Sequence, residues 1–342
     1  MQESLALALW FAAILAGIGA MQWGVQRVCA LLVQLRRHWG IAEVGGGALI
    51  GFATATPELS VNIASVAMGW PDIGLGTALG SNVPALPLIF VISYLTTRWH
   101  RPKVLAERSE KPDSVPRPSP VPQVKDKAVW VQVLPYLLVV LLLAALTLPP
   151  GWSGLQPIDG LILLLACGAF LWQALRMPGE RVCCHAPVRK ALATLPGILA
   201  IGAGALIAVL ASRRVNEALG IPDLVGGLFI TGLLCALPES FSAWRLSRAG
   251  RATSAVSAAV SDGVFSLTLA LVPLCLIGAR VGDMGLYALN LGFLVTVLGG
   301  YMAMSIVTPS GAARISLLTS PRVLVFALAY GAYVAVALRL TV

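Results

Sequence analysis

Charge is scarce in this chain. Only 11% of its 342 residues are Asp, Glu, Lys or Arg, whereas soluble domains run at about 25%. Acids number 15 and histidines three. The histidines, His38, His100 and His185, lie outside every long apolar run, so a His-based active site inside those runs is excluded. The cysteines, Cys29, Cys167, Cys183, Cys184, Cys235 and Cys275, form no disulfide framework. Cys183-Cys184-His185 lacks the spacing of a zinc site. No ATP-binding motif occurs, so any transport must draw on a gradient. Glu3 stands where a leader peptide would carry basic residues, so no cleavable leader is expected.

What is abundant is apolar length. The chain is 58% hydrophobic with a mean hydropathy of +0.85, the composition of a bilayer-embedded protein. A helical crossing takes about 20 mostly apolar residues. On that measure residues 4–26, 42–68, 73–97, 128–148, 158–175, 191–212, 223–244, 252–279, 284–307 and 323–338 read as ten spans. Residues 98–127 differ: six prolines and twelve charges mark a solvated, Pro-rich connection on the cytoplasmic side. Residues 177–190 form a second, short basic connection between two halves. Tryptophans 23, 70, 99, 130 and 152 flank spans as an aromatic belt.

The basic residues test the count. Twenty of the 24 Lys and Arg fall in connections after odd-numbered spans; Arg213, Arg214, Arg280 and Arg339 lie on the other side. The positive-inside rule puts the twenty in the cytoplasm and both termini outside. The net charge of +9 is therefore topology and not a nucleic-acid footprint.

Within the spans one stretch occurs twice. Residues 44–58 and 225–239 align without a gap at an offset of 181, with seven of fifteen positions identical. Each copy ends in Pro-Glu: Pro57-Glu58 and Pro238-Glu239. A charge at the centre of a membrane helix costs a few kcal/mol, roughly 2.5–3.5, and marks a functional site. Proline removes a backbone hydrogen bond and frees carbonyls about one turn earlier, around Ala53-Thr54 and Leu234-Cys235. Broken helices carrying acids, once per half, are the sequence signature of a transporter's ion site. Five spans per half is an odd number, so the halves run in opposite senses. The expected fold is all-α: a polytopic membrane protein of about ten transmembrane helices as two inverted five-helix repeats. The first covers residues 1–97 and 128–176 and the second residues 191–342.

Three acids lie deep in spans: Glu58, Glu239 and Asp262. Ser81 and Asp262 each stand 23 residues past a glutamate, in small-residue stretches that let helices approach closely. Two close carboxylates need a cation or a retained proton between them. A hard cation such as Ca²⁺ takes six to eight oxygens, and carboxylates with freed carbonyls supply them.

Pro57-Glu58-Leu59, Pro71-Asp72-Ile73-Gly74-Leu75-Gly76 and Gly80-Ser81-Asn82 closely resemble the first repeat of the calcium/cation antiporter superfamily, the sodium/calcium exchanger membrane-region family. The second copy keeps Pro238-Glu239 and a small-residue span. The chain resembles a divergent, bacterial-type member. The resemblance implies a secondary antiporter of the inner membrane that exchanges Ca²⁺ for Na⁺ or H⁺, with no cofactor, and in which spans one and six slide. It implies Glu58 and Glu239 as the central carboxylates. Thr54 and Cys235 fall at threonine positions that bind through backbone carbonyls, and Ser81 and Asp262 at a serine ligand position. Ser266 and Ala85 fall where the family has Asn or Asp. The chain departs from the family at Ala55, Ala236 and Ala85, which lack the expected side-chain oxygens. A passive cation channel, a carrier of another divalent cation, a membrane hydrolase and a non-transporting relative are the competing readings.

Overall fold

The computed structural model describes residues 2–39, 43–109, 133–149, 151, 154–176, 194–248, 252–306 and 320–341. All regular structure among them is helical. In chain order the helices are α1 (Gln2–Trp39), α2 (Glu43–Thr54), α3 (Thr56–Ala67), α4 (Pro71–Ser109), α5 (Leu134–Thr147), α6 (Pro157–Leu175), α7 (Leu195–Leu219), α8 (Asp223–Gly226), α9 (Leu233–Arg248), α10 (Ala252–Ser266), α11 (Val272–Leu276), α12 (Met284–Ile306) and α13 (Ser320–Thr341). Among the described residues, eight helical stretches are long and apolar enough to cross a membrane, and α5 is a shorter apolar helix. With α2 and α3 this is a polytopic membrane fold of eight to ten apolar helices.

Two helices outrun the spans expected from hydropathy. α1 continues to Trp39 through residues assigned to a connection, and α4 continues to Ser109 through the start of the 98–127 segment. Polar residues end the apolar stretch without ending the helix, because Arg, Lys, Glu and Gln are good helix formers. Residues 110–127, like Cys183, Cys184 and His185, lie outside the described residues.

The acid-bearing spans are irregular where the sequence places proline, though not identically. In the first copy the helix breaks at Ala55 between α2 and α3, with Pro57 in the first turn of α3. Pro57 cannot donate to the Ala53 carbonyl, and the Thr56 hydroxyl donates to it instead at 2.6 Å. In the second copy the helix passes through Pro238, and the irregularity falls earlier, in a π-helical turn at Gly227–Gly232 between α8 and α9. The eighth expected span is also divided. α10 ends at Ser266, and Thr268 (φ −117°, ψ −83°) leads into a short 3-10 turn before α11. The Asn62 amide donates to the carbonyl of Ala270 in that turn at 2.5 Å.

The interior divides into two apolar clusters. The larger is built from α4, α5, α6, α10, α12 and α13. The smaller joins α1 and α7 to α3, with Ile14, Ile18, Met21, Val61, Ala205 and Val209 at its centre. α1 and α7 meet along a glycine seam. A methyl at Gly17 would lie 2.6 Å from the Gly204 carbonyl oxygen, and one at Gly204 would lie 2.5 Å from that of Gly17. Gly197 faces Gly24 in the same way, at 3.1 Å. Backbones this close gain packing that larger side chains forbid. Gly19 and Gly202 lie on the same two helices with nothing within 4 Å of the added carbon. Gly204→Val is therefore expected to lower the stability of the detergent-solubilised protein by about 1–3 kcal/mol, the usual cost of overpacking. Gly202→Val is expected to leave the thermal unfolding midpoint unchanged. Equal midpoints for the two variants would contradict the seam.

Candidate cation site

Each acid is delivered by a different helix. Glu58 lies in the first turn of α3, just past the break; Glu239 lies in α9 after Pro238; Asp262 lies near the end of α10. One ligand oxygen from each of the three lies within 4.8 Å of the others. Glu58 and Asp262 are 1% and 3% exposed, while Glu239 is half-buried. Glu58 Oε2 and Asp262 Oδ1 have no hydrogen-bond partner among the described residues.

The neighbours explain the positions. A Cβ at Gly51 would lie 2.5 Å from Ser261 Cβ and 2.7 Å from the Asp262 nitrogen, so only glycine lets α2 approach α10 this closely. In the other copy, a Cβ at Gly232 would lie 2.7 Å from Gly80 Cα, beside Ser81. Ser81 is an electrostatic neighbour of Glu58, and its hydroxyl donates to the Ala78 carbonyl at 3.2 Å. Thr54 and Glu239 are hydrogen-bonding neighbours of Asp262. The Thr54 hydroxyl also donates back to the carbonyls of Ile50 and Gly51, at 3.2 and 3.1 Å.

The three acids line a cavity of about 700 Å³. Its walls come from the C-terminal half of α1, including Gln22, Cys29 and Gln34, and from α9 out to Arg245 and Leu246. The cavity therefore runs from the acids towards the face where α1 and α9 end. Thr54 and Cys235 line it as well. Arg245 is the only basic lining residue among those described, and it lies in the last turn of α9.

Of the seven residues expected from sequence, Glu58, Glu239 and Asp262 come together as a group that could hold a metal ion. Thr54 and Ser81 adjoin it. Cys235 lines the cavity but its sulfur is not part of the three-oxygen group. Ser266 is buried one turn past Asp262, does not line the cavity, and its hydroxyl has no partner among the described residues. Ala55, Ala85 and Ala236 are all buried and contribute no side-chain oxygen.

Sequence reasoning missed three polar groups nearby. The Ser240 and Ser261 hydroxyls are buried without partners among the described residues, each next to an acid in the chain. Tyr136 is 1% exposed and donates from its hydroxyl to Asn82 Oδ1 at 2.9 Å. A signal existed, since Tyr136 and Thr147 are the only polar side chains in α5.

The chemistry of the group is that of a hard-cation site. Ligand oxygens at 2.3–2.6 Å from a common ion cannot be more than about 5 Å apart, and these meet that limit. Three carboxylates in an apolar interior repel one another and lose hydration. A divalent cation offsets both.

Residues 9–175 match the model of the sodium/calcium exchanger protein family. No curated protein matches the chain in sequence. Its fold is similar to that of the sodium-calcium exchanger NCX_Mj. The structure soaked with 10 mM Na⁺ and zero Ca²⁺ aligns with a TM-score of 0.63 at 17% identity, covering 96% of this chain and 99% of that one. The structure with 2.5 mM Na⁺ and 0.1 mM Sr²⁺ gives 0.64 at 18% identity, with the same coverage. The structure with 2.5 mM Na⁺ and 10 mM Sr²⁺ gives 0.62 at 19% identity, again with the same coverage. At these identities the likeness is one of fold, and it extends over nearly the whole chain. The first half of the chain thus carries a match to the sodium/calcium exchanger protein family, within a fold similar to that of NCX_Mj over nearly all of its length.

Proposed function

We propose that the protein is a secondary-active antiporter that exchanges Ca²⁺ for Na⁺ or H⁺ by alternating access, with Glu58, Glu239 and Asp262 as the carboxylates of the transported cation. The observation that carries this reading is the meeting of three acids from three apolar helices within 4.8 Å at a cavity. Thr54, Ser81, Cys235 and Ser266 complete the proposed site. Thr54 and Ser81 act directly beside the acids, and Cys235 and Ser266 act one layer out. The soaking of NCX_Mj structures with Na⁺, Sr²⁺ or Ca²⁺ supports the same ions here. The missing oxygens at Ala55, Ala85 and Ala236 favour H⁺ over Na⁺ as the counter-ion, because fewer ligands remain for flanking monovalent cations.

The proposed architecture is ten spans in two inverted repeats. The eight long helical stretches, α5, and α2 with α3 supply the ten. Reciprocal contacts support the symmetry. Gly51 meets Ser261 and Gly232 meets Gly80, so residues 181 apart exchange roles. Gly17 with Gly204 and Gly24 with Gly197 do the same at an offset of 180. With the basic connections inside, both termini face outward, the membrane is the bacterial inner membrane, and the cavity opens to the cytoplasm. The structure is then an inward-facing state, and its glycine-seamed pair α1 and α7 is the element that moves past the rest.

Two measurements test this. Proteoliposomes loaded with radioactive Ca²⁺ and given a Na⁺ or a pH gradient are expected to show counter-ion-driven flux. Glu58→Gln and Glu239→Gln are each expected to cut the flux about 30- to 100-fold, the equivalent of losing a charge-assisted ligand worth ~2–3 kcal/mol. Flux that persists in either variant would sink the site. Flux that is not accelerated by counter-ion on the opposite side would indicate a passive channel. Separately, in a chain whose own cysteines are replaced, Gln34→Cys and Leu246→Cys are expected to react with an impermeant thiol reagent from the cytoplasmic side. Labelling from the outside alone would reverse the orientation.

A further inference from the structure

Tyr136 lies outside the three-acid group and does not line the cavity. Its hydroxyl makes one described hydrogen bond, to Asn82 Oδ1. The Asn82 amide nitrogen donates in turn to the Ala78 carbonyl at 2.7 Å, so both ends of that amide are held. Asn82 directly follows Ser81, the neighbour of Glu58. The Tyr136 ring meanwhile occupies the place of a side chain at Gly263. A Cβ there would lie 2.5 Å from the phenol oxygen and 2.7 Å from Cε1. Gly263 directly follows Asp262. A single side chain from α5 therefore touches α4 and α10 at residues adjoining Ser81 and Asp262, the two positions 23 residues past each glutamate. It is also near enough to Asp262 and Glu239 to feel their charge. Packing against Gly263 requires the ring; the bond to Asn82 requires the hydroxyl. A buried tyrosine keeps its hydroxyl where it has a partner to reach.

We propose that Tyr136 is a positioning residue that sets the size of cation accepted by the carboxylates. It acts as a strut, holding α4 and α10 at a fixed separation and so fixing the distance from the Glu58–Ser81 side of the site to Asp262. A rigid oxygen cage discriminates between ions by size, and a loosened one does so less. The inference rests on the cation-site reading above.

The test is initial-rate flux in proteoliposomes, with Ca²⁺ and the larger Sr²⁺ in parallel, for the wild type and Tyr136→Phe. Phenylalanine keeps the ring against Gly263 and removes only the hydroxyl. The half-saturating Ca²⁺ concentration is expected to rise about tenfold, the scale of one lost buried hydrogen bond. That for Sr²⁺ is expected to rise less, so that the wild-type preference for Ca²⁺ shrinks several-fold, on the scale of a fraction of that same bond. The maximal rate per folded molecule is expected to change by less than about twofold, because the carboxylates themselves are intact. Should the unpaired Asn82 amide oxygen impair folding, Tyr136→Phe combined with Asn82→Ala removes it, and the loss of preference is expected to persist. Lower yield of folded protein with unchanged half-saturation and an unchanged Ca²⁺-to-Sr²⁺ preference, in either variant, would overturn the strut while leaving the cation site standing. Wild-type vesicles that carry neither ion would overturn the cation-site reading and the strut together.

Discussion

Three carboxylates drawn together in an apolar interior are the constraint on which the rest of this molecule depends. Each costs several kcal/mol to desolvate, of the order known for single buried ions, and their mutual repulsion adds to it. Such a group is tolerable only when a cation or proton is present to offset its charge. A site with that property does not rest comfortably empty, and its occupant must be replaced when it leaves. Obligatory exchange follows from the electrostatics alone, without a separate coupling device. The helix irregularities around the acids serve the same end. The break at Ala55 turns Glu58 into the cluster, and the Thr56 hydroxyl absorbs the carbonyl that Pro57 leaves without a donor.

Glycine does the complementary work. Where Gly51 meets Ser261 and Gly232 meets Gly80, helices approach closely enough for the polar residues beside them to share one site. Where Gly17 meets Gly204, the contact is smooth and lies outside the larger apolar cluster. The first kind of contact fixes geometry around the cation. The second binds α1 and α7 into a pair whose packing against α3 runs through the separate, smaller cluster. In the proposed mechanism, the division into a fixed cage and a movable pair is thus written in where the chain has no side chain.

Much of this was legible in the sequence because its signals were strong and local. An acid in an apolar run has few explanations, and a Pro-Glu pair repeated at a constant offset has fewer. The matched offset of Ser81 and Asp262 brought the third carboxylate into view without any structure. Other features carried no such mark. Hydropathy reports where the bilayer ends and not where a helix ends, so the extensions of α1 to Trp39 and α4 to Ser109 were missed. The π turn at Gly227–Gly232 lies ahead of Pro238 with no proline of its own, whereas the break near Thr268 precedes Pro273, in the first turn of α11, a proline that the hydropathy reading passed over. Cys235 and Ser266 were expected as ligands from the family resemblance. The two copies place their irregularities differently, so the backbone beside Thr54 is broken while that at Cys235 is continuous helix. Tyr136 was overlooked because an aromatic in a span is ordinarily packing; its role depends on the partners it finds across α4 and α10.

The most direct test of a shared cation site is anomalous diffraction from crystals of the purified protein soaked in Sr²⁺. A single strong peak between the carboxylates of Glu58, Glu239 and Asp262, lost in Glu58→Gln crystals, is the expected result. A peak elsewhere in the membrane region with these three acids unliganded would contradict it.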